Sequence, residues 1–240
     1  MKAYEIIYQL LENQILKKHF KSDEFLPSEN QLSLTYKVSR DTVRKALALL
    51  MANGYIQKIQ GKGSLVLKRE QFRFPISGLT SYKELQNAYG YDGKTEVVTL
   101  TKRSIDGPLA ATTGFPLDSE VWELVRTREI DGAKVILDRD YLSCELIPYL
   151  DETIGRDSIY RYFEQQLQLT IAFAEKEIHI DQLEVEDRQL LDLNPHDQTI
   201  VVIQSRVFLA NAKQFQYTES RHRVDKFRFY DFARRNPATF

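Results

Sequence analysis

Arginine side chains occur in two short clusters whose spacing suits the recognition of DNA bases or of anions. In the first cluster, Arg40 and Arg44 stand four residues apart, with Thr42 between them and Lys45 beside them. Residues four apart share one face of a helix, and a guanidinium fork can donate two hydrogen bonds to O6 and N7 of guanine. Thr42 is short enough to reach a phosphate or a thymine methyl group. The cluster therefore indicates a DNA-reading helix, and a solvated basic face on an ordinary three-helix domain is the competing interpretation.

Capping signals define the helices that would position this first cluster. Apolar residues at helical spacing predict a first helix that ends near Lys17. Ser28 followed by Gln31 is a capping box and predicts the start of a second helix. Ser39 is the expected N-cap of a third helix, which Gly54 would end in the left-handed conformation.

A glycine-tipped hairpin follows these helices and favours the DNA-reading interpretation. Strand-like runs at 55–59 and 64–67 flank the turn Gln60-Gly61-Lys62-Gly63. Glycine lets a backbone approach DNA closely, and Lys62 can reach a phosphate or the minor groove. Three helices and such a hairpin predict a winged helix-turn-helix over residues 1–68, followed by a linker at 69–78. Residues 1–68 carry a net charge of +5 and the remainder −6, which favours a polyanionic partner for the first part alone.

The second cluster, Arg126 and Arg128, interrupts an apolar face of a predicted strand. A buried guanidinium needs an anion, which either protein carboxylates or a ligand phosphate can supply. A structural salt bridge, or a register that places both arginines in solvent, is the competing interpretation. With residues 131–134 as a loop, the facing residues of the next strand are expected to be Val135, Leu137, Arg139 and Tyr141.

Alternating patterns predict an α+β second domain over residues 79–240, with a sheet and helices on one side of it. The predicted strands are 95–102, 121–130, 134–142, 170–180, 199–209 and 214–224, and the predicted helices are 82–88, 159–167 and 185–191. Ser158 precedes one of these helices. It can cap that helix and leave N–H groups for an anion, although a plain cap is the commoner case.

Other function classes find little support in the chain. The single cysteine, Cys144, cannot form an internal disulfide, which favours a reducing, cytoplasmic location. We expect no signal peptide and no membrane span, because apolar runs are short. The four histidines are scattered, and we find no metal-ligand spacing, P-loop or nucleophile elbow. We therefore expect no catalytic residues, metal or cofactor.

The first domain resembles the DNA-binding domain of the GntR family over residues 3–67. The motifs that carry the resemblance are Leu26-Pro27-Ser28-Glu29, Ser39-Arg40-Asp41-Thr42-Val43-Arg44-Lys45-Ala46-Leu47, Gly54-Tyr55-Ile56 and Gly61-Lys62-Gly63. The resemblance implies DNA contacts from Ser28, Arg40, Thr42, Arg44 and Gly61. The helix start and the hairpin tip add Ser39, Lys45, Lys62 and Gly63 as candidate DNA contacts. Asn30 departs from the family, which often has arginine there.

The second domain resembles the UTRA effector domain of HutC-type members of this family. The matching pieces are Leu79-Thr80-Ser81-Tyr82, Leu124-Val125-Arg126-Thr127-Arg128, Asp157-Ser158-Ile159-Tyr160, and Tyr217-Thr218-Glu219-Ser220 with Arg223, Asp225 and Phe227. The resemblance implies a chorismate-lyase-like fold, a mainly antiparallel sheet with flanking helices. It also implies that effector contacts come from Thr80, Ser81, Arg126, Arg128, Ser158, Tyr160, Tyr217, Glu219 and Arg223. His222 departs from the family, where tyrosine is usual.

Together the resemblances imply a homodimeric repressor that binds palindromic double-stranded operator DNA and responds to a sugar phosphate. The run at 54–64 resembles family members that regulate trehalose operons in Firmicutes, which implies trehalose 6-phosphate as the effector. Two alternatives remain, namely a regulator that senses another metabolite such as an amino-sugar phosphate, and a lyase-like enzyme acting on a small anionic substrate.

Overall fold

The chain divides into two units. A computed structural model describes residues 2–68, 74–75, 79, 82–83 and 93–230. The first unit comprises residues 1–77 and 229–240, and the second comprises residues 78–228. The sequence predicts that the second domain continues to residue 240. Instead, strand β10 (Phe229–Tyr230) pairs in parallel with β3 (Phe74–Pro75), inside the predicted linker, and groups with the first unit.

Three helices and a hairpin form the apolar core of the first unit, apart from the β3–β10 pair. They are α1 (Ala3–Leu16), α2 (Glu29–Tyr36), α3 (Arg40–Ala52), β1 (Ile56–Ile59) and β2 (Gly63–Val66). The two strands pair antiparallel, and Phe25 bridges to Leu65 at their edge. One apolar core joins all five elements, with fully buried Leu11, Val43, Leu50 and Ile56 at its centre. The predicted winged helix is confirmed.

The predicted caps fix the ends of these helices. Ser28 Oγ accepts a hydrogen bond from the Gln31 amide, and the Gln31 side chain accepts one from the Ser28 amide. Ser39 Oγ accepts from the Thr42 amide at the start of α3. Gly54 follows the end of α3 with φ +72°, which is the left-handed conformation that glycine tolerates best. The start and the end of α3 are thus fixed by local signals, the Ser39 cap and the left-handed Gly54.

A six-stranded antiparallel sheet forms the frame of the second unit, in the order β4-β5-β6-β9-β8-β7. Its strands are β4 (Gly93–Ser104), β5 (Glu120–Ile130), β6 (Ala133–Ser143), β7 (Ile171–Gln182), β8 (Thr199–Leu209) and β9 (Gln214–His222). The helices that lie wholly within the described residues are α4 (Gly107–Thr113), α5 (Glu152–Arg156), α6 (Ile159–Arg161) and α7 (Val185–Leu190). All six predicted strands are present.

Helices cover both faces of this sheet, so the expectation of helices on one side is wrong. Helices α5 and α6 pack on the face that carries Leu124 and Leu142. The opposite face carries Val121, Val125 and Leu137. Apolar residues of α4 pack near Val121, and apolar residues at the end of α7 pack near Val125 and Leu137. The physical reason is that neighbouring residues of β5 are buried on both faces. The predicted helix 159–167 also differs, because after α6 the chain forms a π-helical turn at Tyr162–Gln166.

A β-bulge beside the β5–β6 turn reverses the predicted facing of β6. The turn uses only Asp131 and Gly132, both with positive φ, which is typical of a tight hairpin. The register then shifts by one residue between Arg128 and Glu129. A shift of one residue moves every later side chain to the other face. The cross-strand partners of Trp122, Leu124, Arg126 and Arg128 are therefore Leu142, Asp140, Asp138 and Ile136. The sequence predicted instead that Val135, Leu137, Arg139 and Tyr141 face this side of β5.

Candidate functional site

Helix α3 presents its basic residues to solvent. The side chains of Arg40, Arg44 and Lys45 are exposed, while Val43, Ala46, Leu47 and Leu50 form the buried stripe of the helix. An outward-facing arginine pair beside a β-hairpin is the arrangement that a DNA-reading helix needs.

Two polar side chains stand at the start of α3. Ser39 and Thr42 hydrogen-bond to each other through their hydroxyl groups at 2.9 Å. Ser39 is exposed and Thr42 is half-buried. Ser39 caps the helix and Thr42 lies in its first turn, which is the part that contacts base edges in helix-turn-helix proteins.

The hairpin between β1 and β2 is tied to the start of α2. Lys58 Nζ of β1 lies 2.9 Å from the Glu29 carboxylate. At the tip, Gly61 and Gly63 have φ values of +75° and +115°. Lys62, Gly61 and Gly63 are exposed, as is Ser28 at the α2 cap. All nine residues predicted to contact DNA thus lie in one unit, and eight of them are exposed, with Thr42 half-buried.

In the second unit, two arginines and two aspartates form a buried cluster between β5 and β6. Arg126 Nη2 lies 2.5 Å from Asp140 Oδ2, and Arg128 Nε lies 2.9 Å from Asp138 Oδ2. Both arginines are less than a tenth exposed. The protein therefore supplies a carboxylate to each guanidinium. We name the sheet face that carries this cluster the arginine face.

Further donors and acceptors complete the arginine face. Asp140 accepts from Thr218 Oγ1 at 2.6 Å and from Gln216 Nε2 at 2.9 Å, and Asp138 accepts from the Ser220 hydroxyl. Ser220 Oγ lies 3.0 Å from His222 Nε2. These contacts place β9 residues against the ion pairs from the side opposite to β5.

Burial and neighbouring charges govern the protonation of this cluster. Burial lowers the pKa of His222 to about 4, so the ring is neutral near pH 7. Burial acts to raise the pKa of Asp138, but Arg128 and Arg126 outweigh it, and the pKa lies below its ordinary value. Burial and the charge of Arg126 lower the pKa of Arg128, which still starts from so high a value that the group stays charged.

One buried hydrogen-bond donor of the arginine pair remains unused among the described residues. Arg126 Nη1 donates to the Gly155 carbonyl oxygen at 3.2 Å, and Arg128 Nη1 donates to Thr95 Oγ1 at 2.6 Å. The Arg128 guanidinium also stacks on the Tyr82 ring, 4.7 Å from its centroid. Within the described part of the chain, Arg126 Nε is buried and has no hydrogen-bond acceptor. A cluster of this kind can bind an anion that offers several oxygen acceptors.

Helix α5 brings its backbone directly onto the arginine face through Gly155. A Cβ atom at this position would lie 3.1 Å from Val97 Cγ2 and 3.2 Å from Leu124 Cδ1, closer than ordinary packing allows. Glycine therefore permits the close approach that lets the Gly155 carbonyl reach Arg126.

The other predicted effector residues have different placements. Ser158 Oγ accepts from the Arg161 amide and so caps α6, and the half-buried Tyr160 ring lies 6.2 Å from that of Phe163. Arg223 pairs with Asp225 and donates to the Asp192 carbonyl. Thr80 and Ser81 lie outside the described residues, as does most of the predicted helix 82–88.

Tyr217 and Glu219 do not join the arginine cluster, because they lie on the opposite face of the sheet. Their cross-strand partners are Tyr141 and Arg139, whose side chains alternate with those of Asp138 and Asp140. On β9, the residues that reach the arginine face are Gln216, Thr218, Ser220 and His222.

Sequence reasoning missed the partners of the arginines, although one signal for them was available. Asp138 and Asp140 are two residues apart, like Arg126 and Arg128. Matched spacing of opposite charges on consecutive strands indicates paired ions. No comparable signal indicated Thr95, which is distant in the chain.

The described residues include neither a membrane-spanning helix nor a metal-binding cluster. None of the described helices is long and apolar enough to cross a membrane. Among the same residues, no group of histidine, cysteine or acidic side chains is arranged to hold a metal ion.

Comparison with known proteins identifies both units. Residues 3–66 match the family described as bacterial regulatory proteins, gntR family, and residues 88–228 match the UTRA domain. The HTH-type transcriptional regulator TreR of Bacillus subtilis (strain 168) is 49% identical over 232 residues, which cover 95% of this chain and 96% of that protein.

Solved structures agree with this assignment. The possible transcriptional regulator YydK from Bacillus subtilis superposes with a TM-score of 0.78 at 25% identity, over 98% of this chain and 100% of that one. The effector-binding domain of the B. subtilis trehalose repressor TreR superposes with a TM-score of 0.55 at 45% identity, over 60% of this chain and 99% of that one.

The relatives that match over nearly the whole chain are transcription regulators. The chain shares with them a DNA-binding unit followed by an effector domain, and it is a regulator rather than an enzyme. This protein therefore belongs to the GntR family of bacterial transcription regulators, with a winged helix followed by a UTRA domain.

Proposed function

We propose that this protein represses a trehalose-utilisation operon in the cytoplasm and leaves its operator when trehalose 6-phosphate binds to the UTRA domain. The observation that carries the proposal is the pair of buried guanidinium groups on the arginine face, Arg126 and Arg128. The similarity to TreR supports the choice of trehalose, since the solved domain of that protein is described as belonging to a trehalose repressor.

The DNA half of the proposal places the start of α3 in the major groove. Arg40 and Arg44 would then donate to guanine, while Ser28, Ser39, Thr42 and Lys45 contact phosphates or neighbouring bases. The hairpin tip at Gly61, Lys62 and Gly63 would contact the backbone beside it. A homodimer would present two such helices to a palindrome whose half-sites lie about 10 base pairs apart.

The effector half of the proposal uses the orientation that the ion pairs give to the guanidinium groups. Asp138 and Asp140 already hold Arg128 and Arg126 in fixed positions, so a phosphate would meet donors that need little ordering. The carboxylates also cancel the net charge of the cluster, so affinity would depend on hydrogen-bond geometry. The Arg126 Nε donor and the loop at Ser158 would take part in this contact, and Thr80 and Ser81 are proposed to add hydroxyl groups.

Release from DNA requires that the effector bind two arrangements of the protein with different affinity. A coupling free energy of about 1–3 kcal/mol corresponds to a loss of operator affinity of about 5- to 150-fold. Such a loss is enough to switch a repressor whose concentration lies near its operator dissociation constant.

Isothermal titration calorimetry with four ligands tests the effector half. The ligands are trehalose 6-phosphate, trehalose, glucosamine 6-phosphate and inorganic phosphate. We expect trehalose 6-phosphate to bind most tightly of the four ligands. The variant Arg128→Lys should bind it about tenfold or more weakly, because lysine lacks the planar fork of arginine. Arg206→Lys, on the opposite face, is the matched control and should bind normally. Tighter binding of glucosamine 6-phosphate would favour a regulator that senses an amino-sugar phosphate. In that case Asp138 and Asp140 would offer acceptors to the ammonium group.

Gel-shift titration at fixed salt tests the DNA half, using duplexes selected by the wild-type protein from a random pool. Arg44→Ala is expected to cost about 1–3 kcal/mol and to relax base choice at one position. Lys62→Ala should weaken all sequences alike, because a phosphate contact carries no sequence information. Unchanged operator affinity in Arg44→Ala would refute the placement of α3 in the groove.

A further inference from the structure

The exposed face of α3 carries one acidic residue among its basic ones. Asp41 is the sole acid in the helix sequence, and its side chain is half exposed. Its Oδ1 atom lies 2.5 Å from Arg44 Nη2, and its Oδ2 atom lies 2.8 Å from Lys45 Nζ. One carboxylate therefore engages two of the cations that are proposed to contact DNA.

A carboxylate in the first turn favours the helix, but this effect does not require that Asp41 contact both Arg44 and Lys45. The side chains of Arg44 and Lys45 are 66% and 61% exposed, and exposed ion pairs within one helical turn contribute little to folding. Hydrogen bonds from Lys45 and Arg44 lower the pKa of Asp41, so its carboxylate is ionised at neutral pH. A fixed negative charge in this position opposes contact with phosphates.

A carboxylate at the start of a recognition helix also has a favourable partner in the major groove. Aspartate accepts a hydrogen bond from the N4 amino group of cytosine, and arginine donates to the O6 and N7 atoms of guanine. Asp41 and Arg44 lie on the same helix face and contact each other, so both can reach neighbouring base edges together.

We propose that Asp41 determines the operator selectivity of α3. On unrelated DNA it keeps Arg44 and Lys45 engaged and repels the phosphate backbone, which lowers non-specific affinity. On the operator it accepts from a cytosine amino group, while Arg44 turns to the adjoining guanine. This inference rests on the proposed placement of α3 in the major groove.

The variant Asp41→Asn tests the proposal, with Asp23→Asn as the matched control. Both substitutions remove one negative charge from the first unit, but Asp23 lies in the exposed turn after α1, at a φ of +67° that asparagine tolerates. The wild-type protein first selects its preferred sequence from random duplexes of about 25 base pairs, long enough for two half-sites. Affinities of all three full-length proteins are then measured on that sequence and on the unselected pool, over a range of salt concentrations.

We expect Asp41→Asn to bind the unselected pool more tightly than either other protein. A plot of the logarithm of its binding constant against the logarithm of salt concentration should be steeper by about 0.9 for each additional phosphate that the variant neutralises. Its ratio of selected to unselected affinity should fall about fivefold or more, because one base contact is lost. Repeating the selection with Asp41→Asn should relax the preference for cytosine at one position in each half-site.

Three outcomes would overturn the proposal. Equal selectivity in Asp41→Asn and the wild-type protein would overturn it while leaving the proposed function intact. A lowered melting temperature of the first unit with unchanged selectivity would show that Asp41 only stabilises the helix start. If the wild-type protein selects no sequence at all, both the proposed function and this inference fail.

Discussion

Replacing Arg126 with methionine should destabilise the second unit strongly. The side chains of Arg126 and Asp140 are only 3% and 1% exposed, so the substitution leaves the buried Asp140 carboxylate without its ion-pair partner. Breaking a buried ion pair by removing one partner costs about 3–5 kcal/mol. Asp140 keeps its hydrogen bonds from Gln216 and Thr218, and Arg128 stays nearby. We therefore expect a loss near the low end, about 3 kcal/mol.

The fluorescence of Trp122 provides a selective readout of this loss. Trp122 is the single tryptophan of the chain, and it lies on β5 with its indole donating to the Ile147 carbonyl at 2.9 Å. Urea unfolding followed at this residue therefore reports on the second unit alone. For a unit of this size, about 3 kcal/mol corresponds to a melting temperature lowered by about 6–12 °C.

Two comparison proteins make the result interpretable. Arg206→Met removes an arginine from the opposite face and should cost less than about 1 kcal/mol, because Arg206 is only partly buried. The double variant Arg126→Met with Asp140→Asn should lose about 2 kcal/mol less than the sum of the single losses. If Arg126→Met unfolds at the wild-type urea concentration, the ion pair does not stabilise the fold and the reasoning is refuted.

Three further results are expected. The pKa of His222 is about 4 in the folded protein and 6.5 ordinarily, so between these pH values only the unfolded chain gains the proton. The free energy of unfolding should therefore fall by up to about 3 kcal/mol as the pH drops from 6.5 to 4. In His222→Gln the urea midpoint should depend less on pH over this range. An identical slope in both proteins would contradict the burial argument. Gly155→Ala should cost about 1–3 kcal/mol by overpacking against Val97 and Leu124, and should weaken trehalose 6-phosphate binding by displacing the carbonyl that holds Arg126. Normal affinity in calorimetry would show that α5 does not position the arginine. Gly61→Ala forces a side chain into φ +75°, and should lower operator affinity in gel shifts while leaving the Trp122 transition unchanged. A normal gel shift would mean that the hairpin tip is not needed for binding.

Local signals in the sequence were sufficient for the winged helix of the first unit, although not for the β3–β10 pair. The capping box at Ser28, the cap at Ser39 and the glycine at 54 each act over a few residues, and each holds in the structure. The hairpin tip likewise follows from its two glycines. The outward direction of Arg40 and Arg44 then follows from the apolar stripe on the other side of α3. Helical periodicity alone determines this, since the two faces of an amphipathic helix are fixed relative to each other.

The sequence also determined where the strands of the second unit lie, but only the tertiary structure decided which side chains meet. One bulge after Arg128 brings Asp138 and Asp140 to the arginines. The pairing of β9 with β6 then leaves Tyr217 and Glu219 on the opposite face. Alternation within a strand is local, whereas the register between strands depends on packing across the whole sheet, and one inserted residue reverses it. For this reason the sequence predicted that Arg126 and Arg128 share one face of a strand, whereas the tertiary structure decided that Asp140 and Asp138 pair with them.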